Sequence, residues 1–259
     1  MADLQLADTR IHYQLSGDSR LPVLLLSHSL GVNLEMWQPQ LAALEARFQL
    51  LRCDTRGHGQ SSIPSGPVNV AQLGADVLAL LDALGFAQAN FCGLSMGSAI
   101  GQWLGIHAPQ RLHKLILAST ATKFGAADVW NARIELVSRE GLAPVIPGTL
   151  DRWFTPDFHQ SHPEVIARTR AQLQDTSVQG YTACCAAVRD TDFRSTVASI
   201  HVPTLVVVGT LDPVTPPAEA QSIAAQIPAA QLVELPAAHL CSVQAATQFN
   251  AALLSFLAD

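Results

Sequence analysis

The sequence predicts an α/β fold: a mostly parallel central sheet flanked by helices, with one helical insertion. Three observations carry this. Short apolar runs alternate with helical stretches along most of the chain. Most of these runs are continuous in β-branched residues and leucine rather than alternating, as in strands covered on both faces. The regular alternation breaks after Ser119, and the segment 124–190 reads as helical without clear strands.

Taken in order, Ile11-His12-Tyr13-Gln14-Leu15 ends at Gly17 and reads as part of an early antiparallel hairpin. Strand-like runs follow at 22–27, 49–53, 89–92, 114–118, 204–208 and 231–235. Between them lie helical stretches, among them 70–84, 98–107 and 217–226. Strands alternating with helices imply right-handed crossovers and a layered α/β architecture. Gly141, Pro144, Pro147, Gly148, Pro156 and Pro163 divide the 124–190 block into short pieces. The expected organisation is therefore a core in two parts, 1–123 and 191–259, with a helical lid at 124–190 over one end of the sheet.

Composition narrows the function. The 259 residues are 49% hydrophobic and only 14% charged, which suits a large buried core and not a disordered chain. A net charge of −6 and the lack of a Lys/Arg-rich run argue against nucleic acid as a partner. An anionic ligand would then need a local cation, because the global field repels it. No stretch approaches the ~18 apolar residues of a membrane span, and the start carries no basic region followed by an apolar core. The five cysteines form no C-x-x-C pair, and their odd number suits the reduced cytoplasm. Cys53 and Cys92 fall in predicted strands and, with Cys184 and Cys185, read as packing residues. A homo-oligomer is left open.

The chemistry enters at Gly93-Leu94-Ser95-Met96-Gly97, between an apolar run and an Ala/Ile/Leu-rich segment. Gly-x-Ser-x-Gly between strand and helix forms a sharp turn that lifts the serine hydroxyl clear of the sheet. A serine nucleophile needs a base, and the base needs an orienting carboxylate. Asp212 lies just past the run 204–208, and His239 just past the run 231–235. In a parallel sheet these strand ends share one edge, where ligands bind. Ser95, Asp212 and His239 are therefore the expected catalytic triad, which requires neither metal nor cofactor. The backbone amides of Met96, opening the helix, and of Leu30, in Ser27-His28-Ser29-Leu30-Gly31, are the expected oxyanion donors. His28 should brace that loop. In Asp54-Thr55-Arg56-Gly57-His58-Gly59-Gln60-Ser61, Asp54, Arg56 and His58 should satisfy buried backbone groups.

Together, His28-Ser29-Leu30-Gly31, the Asp54–Ser61 motif, the serine pentapeptide, Asp212 and His239 resemble the α/β-hydrolase superfamily over essentially the whole chain. Within it, the chain is similar to the 3-oxoadipate enol-lactonase group. The resemblance rests on Ser27-x-Ser29-Leu30-Gly31 followed by Met36-Trp37, on the Gly-Leu-Ser-Met-Gly elbow and on Asp54-Thr55-Arg56-Gly57-His58-Gly59-x-Ser61. It implies an α/β-hydrolase fold and, as partner, a small unsaturated lactone bearing a carboxylate. Such a substrate asks for one cation among apolar walls. In the segment 128–140, Val129, Trp130, Ile134, Leu136 and Val137 form an apolar face at helical spacing, and Arg133 falls near its middle. Arg133 either grips the substrate carboxylate, or it snorkels or pairs with an internal acid such as Glu140. Trp130 and Trp153 would be pocket walls in the first case, and core packing suits each equally. The same triad also suits a general carboxylesterase, a carbon–carbon bond hydrolase, a cofactor-free perhydrolase or a non-catalytic ligand receptor. Attack by Ser95 and direct activation of water by His239 both stay open.

Overall fold

A computed structural model describes residues 2–258. Eight strands form one sheet: β1 (Ala2–Gln5), β2 (Arg10–Ser16), β3 (Val23–Ser27), β4 (Gln49–Cys53), β5 (Ala89–Leu94), β6 (Leu112–Ala118), β7 (Thr204–Gly209) and β8 (Gln231–Leu235). Their spatial order is β1-β2-β4-β3-β5-β6-β7-β8. β1 and β2 form the expected antiparallel hairpin, and β2 joins β4 antiparallel. All other pairings are parallel.

Every residue of β3, β4, β5 and β7 is buried, as their continuous apolar runs demand. β8 differs. Its run looks alike, yet only Leu235 is buried, because β8 is the sheet's edge. Edge position is a property of strand order, which the composition of one run does not carry.

Helices α1 (Leu41–Leu44), α2 (Val70–Ala83) and α3 (Met96–His107) precede β6. Asn69 and Gln72 form a capping box that starts α2. Between β6 and β7 come α4 (Ala127–Glu140), α5 (Ile146–Trp153), α6 (Pro156–Ser161), α7 (Pro163–Asp175) and α8 (Val178–Asp190). α4 packs on α8, and α5 on α7. An isolated bridge, Lys123 to Asp192, draws the two ends of this block together. α9 (Pro217–Gln226), α10 (Cys241–Gln244) and α11 (Ala246–Ala258) complete the core. The block rests on the sheet's carboxyl edge. The Thr176 hydroxyl donates to the Gly31 carbonyl at 2.8 Å, and Tyr181 and Leu173 crowd Gly31. All five cysteines are free and buried. Among the described residues, no helix is long and apolar enough to cross a membrane.

Candidate active site

β5 runs through Leu94 and α3 begins at Met96, two residues earlier than the sequence pattern suggests, so Ser95 stands alone between strand and helix. Its backbone has φ 57° and ψ −109°. Such a left-handed serine costs about 1–3 kcal/mol and persists only where its surroundings enforce it. Here the Ser95 amide donates to Ala118 O at 2.9 Å, and its carbonyl accepts from Ala99 at 3.0 Å. The flanking glycines are required by close approach. A Cβ on Gly93 would lie 2.2 Å from the Gly97 carbonyl carbon, and one on Gly97 would lie 2.1 Å from Ser27 O.

Asp212 and His239 emerge past β7 and β8 on the same edge, both buried. His239 Nδ1 donates to Asp212 Oδ2 at 2.8 Å. Asp212 is held by more than the histidine. Its Oδ1 accepts the amides of Val214 at 2.8 Å and Thr215 at 3.0 Å, and its Oδ2 accepts the Thr215 hydroxyl at 2.8 Å. Burial alone would raise the Asp212 pKa, but the charge and hydrogen bond of His239 and the Thr215 bonds outweigh it and hold the carboxyl low. An ionised Asp212 fixes the proton on Nδ1 and leaves the Nε2 lone pair free to act as a base. The structure thus joins Asp212 to His239. No hydrogen bond links Ser95 Oγ to His239 among the described residues, and in substrate-free sites this bond is often long until a ligand is bound.

The two amides expected to hold an oxyanion are both unclaimed. Neither Leu30 N–H nor Met96 N–H has a protein acceptor among the described residues. The loop carrying Leu30 is locked by two histidines. His58 Nε2 accepts the Gly31 amide at 2.9 Å, and His28 Nε2 accepts the Thr55 amide at 2.9 Å. Each of two neighbouring loops thus lends a ring to the other, and the rings lie 5.3 Å apart. Accepting at Nε2 requires both rings to be neutral. Burial enforces this, lowering the pKa of His28 and bringing that of His58 down to about 3. Asp54 plays its expected part by accepting the Leu34 and Gln60 amides, each at 2.8 Å. Arg56 does not. Its guanidinium binds Asp76 through two hydrogen bonds of 2.6 Å and Asp8 through two of 3.1 Å, so it tethers carboxylates rather than backbone.

A model of the alpha/beta hydrolase fold family matches residues 22–245. The chain belongs to the alpha/beta hydrolase family. It is 43% identical to 3-oxoadipate enol-lactonase 2 of Acinetobacter baylyi over 95% of this chain and 92% of that one. Among solved structures, it resembles a hydrolase from Pseudomonas aeruginosa PA01, with TM-score 0.97 and 45% identity over 100% of this chain and 98% of that one. It also resembles the enol-lactonase from Burkholderia xenovorans LB400, with TM-score 0.98 and 38% identity over the full length of both. The protein is an enzyme of the hydrolase class.

In this hydrolase Arg133 projects from α4, half-buried, and forms no ion pair among the described residues. Its Nε donates to Tyr181 Oη at 2.7 Å and its Nη2 to Thr149 Oγ1 at 2.8 Å. Glu140, the acid expected to compete for it, binds Arg139 at 2.7 Å instead. Tyr181 carries the link onward, because its ring edge abuts Gly31 beside Leu30. Trp130 donates through Nε1 to Phe124 O and lines, with Arg133, a cavity of about 420 Å³. Pro213 and Val214, directly after Asp212, form part of the same wall. Ser95 is not on that wall. Trp153 lies elsewhere, its ring 6.4 Å from the His239 ring and its carbonyl accepting the Leu240 amide at 3.1 Å. Val129 was expected on the apolar face, yet it is 65% exposed, in the first turn of α4 on the cavity wall. Three participants were not foreseen. Thr215 is signalled by its place three residues after Asp212, the spacing of a side-chain-closed turn. Tyr181 is brought to Arg133 by the packing of α4 on α8, and Thr149 by a hydrogen bond across from α5, and neither has a local signature. Among the described residues, no cluster of His, Cys, Asp and Glu is arranged to hold a metal ion.

Proposed function

We propose that this chain is a serine hydrolase of the 3-oxoadipate enol-lactonase type, opening a small carboxylate-bearing enol-lactone to 3-oxoadipate in bacterial aromatic catabolism. The observation that carries the substrate class is Arg133, a half-buried guanidinium whose hydrogen bonds among the described residues go to two hydroxyls, and which faces a cavity with largely apolar walls. A carboxylate there gains charge-assisted hydrogen bonds without displacing an internal ion pair. The names of the similar proteins support the same reading. In this reading 124–190 is the lid that covers the substrate, and the five reduced cysteines suit a cytoplasmic enzyme.

The chemistry proceeds in two acyl transfers. His239 takes the Ser95 proton as Ser95 Oγ bonds to the lactone carbonyl carbon. Asp212 stabilises the imidazolium, and the Leu30 and Met96 amides bind the oxyanion. Collapse breaks the ring C–O bond, His239 returns the proton, and the released enol becomes a ketone. That tautomerisation makes ring opening effectively one-way. The leaving group stays tethered in the acyl-enzyme. Water, deprotonated by His239, then adds to the ester carbonyl and frees Ser95 and the keto diacid.

Hydrolysis of 3-oxoadipate enol-lactone, followed by loss of its ultraviolet absorbance, tests the substrate against a simple aryl ester. The lactone should win by a large margin in kcat/KM. Preference for the aryl ester would replace this reading with a general esterase. Quenching during turnover should reveal Ser95 carrying one acyl group by mass spectrometry; its absence would favour direct attack by water.

A further inference from the structure

Arg133 does not face its cavity alone. Arg152, at the end of α5, lines the same wall. Most arginines of this chain are neutralised: Arg10 by Asp3, Arg20 by Asp18, Arg52 by Glu35, Arg56 by Asp8 and Asp76, Arg111 by Asp82, Arg139 by Glu140, Arg189 by Asp190 and Arg194 by Asp192. Arg152 makes no ion pair and no side-chain hydrogen bond among the described residues, and Arg133 makes no ion pair. Two guanidiniums therefore line one cavity whose described wall carries no carboxylate, in a protein whose net charge is −6. Partial burial first, and the positive charge of Arg133 second, lower the affinity of Arg152 for its proton, against the opposing pull of Tyr181 and Asp151. Arg152 also borders a second cavity of about 300 Å³, which reaches Leu211 and Ala238, the neighbours of Asp212 and His239, and whose wall, unlike that of the first, carries the carboxylates Asp151 and Asp157. Pro213 is common to both walls. Arg152 thus stands where the two hollows meet, beside the turn that carries the catalytic acid.

We propose that Arg152 is a second anion-binding residue of this enzyme, so that the carboxylate of a small ester or lactone is held between the guanidiniums of Arg133 and Arg152. The inference rests on the proposed function for the identity of the lactone, but not for the class of ligand. A carboxylate between two cations relieves their mutual repulsion as well as binding each, so selectivity for anionic over neutral acyl groups should exceed what one arginine supplies. Arg152 is more open to water than Arg133, so its share is screened.

The test compares two aryl esters of equal length, mono(4-nitrophenyl) glutarate and 4-nitrophenyl pentanoate, which differ only in the terminal carboxylate. The wild-type enzyme should favour the glutarate ester. In Arg152→Gln the ratio of the two kcat/KM values should fall about tenfold, through KM rather than kcat, in line with loss of one charged hydrogen bond. Arg152→Lys should keep part of the preference, and Arg139→Gln, which sits in its own ion pair, should keep all of it. Because a ratio is read, loss of folded enzyme cancels. Glutarate alone should raise the melting temperature of the wild type and do so less for Arg152→Gln. An unchanged ratio in Arg152→Gln would overturn the proposal. Should wild type ignore the enol-lactone yet show an Arg152-dependent ratio, the lactonase reading falls and the two-arginine site stands. Should it open the enol-lactone while the ratio is indifferent to Arg152, the lactonase reading stands and this inference falls.

Discussion

The histidine clasp makes a quantitative demand on the acid stability of the protein. His58 is 1% exposed and accepts the Gly31 amide at 2.9 Å, so it is neutral in the folded state down to about pH 3. In the unfolded chain it protonates near its ordinary value of 6.5. Between those values the unfolded state binds more protons, so stability rises with pH. The contribution is complete above about pH 6.5 and is lost progressively as pH falls towards 3. The gap from 6.5 to about 3, at about 1.4 kcal/mol per pH unit, sets a ceiling of about 5 kcal/mol. From pH 7.5 to 5.0 the loss is about 2 kcal/mol, because the folded ring is still neutral while the unfolded one is almost fully protonated. His58→Gln tests this, since the glutamine Oε1 lies as many bonds from Cβ as the histidine Nε2 and can still accept from Gly31. The variant should lose stability at pH 7.5 through poorer packing. Its stability should then fall about 2 kcal/mol less than the wild type's between pH 7.5 and 5.0. For a chain of this length that is roughly 4–8 °C in melting temperature. Urea denaturation at the two pH values gives both numbers. Equal pH slopes in variant and wild type would refute the neutral, buried ring and with it the account of how the loop carrying Leu30 is held.

Two further outcomes follow from the site's geometry. In Asp212→Asn the oxygen must stay at the Oδ1 position, where the Val214 and Thr215 amides donate, so the new NH₂ faces His239 Nδ1 and drives the imidazole into the wrong tautomer. Ester hydrolysis should fall by about 10⁴ with the fold intact by circular dichroism; a fall below about tenfold would remove Asp212 from the mechanism. Gly97→Ala sets a Cβ 2.1 Å from Ser27 O and should cost about 3 kcal/mol or more, seen as a melting temperature lower by at least roughly 6 °C; an unaltered melting temperature would show that the elbow has room to relax.

What the sequence reveals here depends on whether a relation is local or is imposed by strand order. The pairing of Asp212 with His239, and the place of Ser95 on the same edge, were legible because a parallel sheet gathers the carboxyl ends of its strands there. The acceptor role of His58 towards a backbone amide was legible because a histidine buried in a glycine turn has few alternatives. Arg56 was misread for the opposite reason. Its partners, Asp8 and Asp76, lie 48 and 20 residues away on other elements, and nothing near Arg56 announces them. Arg133 shows both cases in one residue. Helical spacing located it on an apolar face, and the absence of a carboxylate partner gives that location its meaning. Yet its ties to Tyr181 and Thr149 exist only because α4 packs on α8 and lies near α5. The residues proposed to do the chemistry are therefore written in strand ends and turns, which sequence exposes. Those proposed to choose the substrate, Arg133 and Arg152, are placed by helix packing within 124–190, which sequence does not expose.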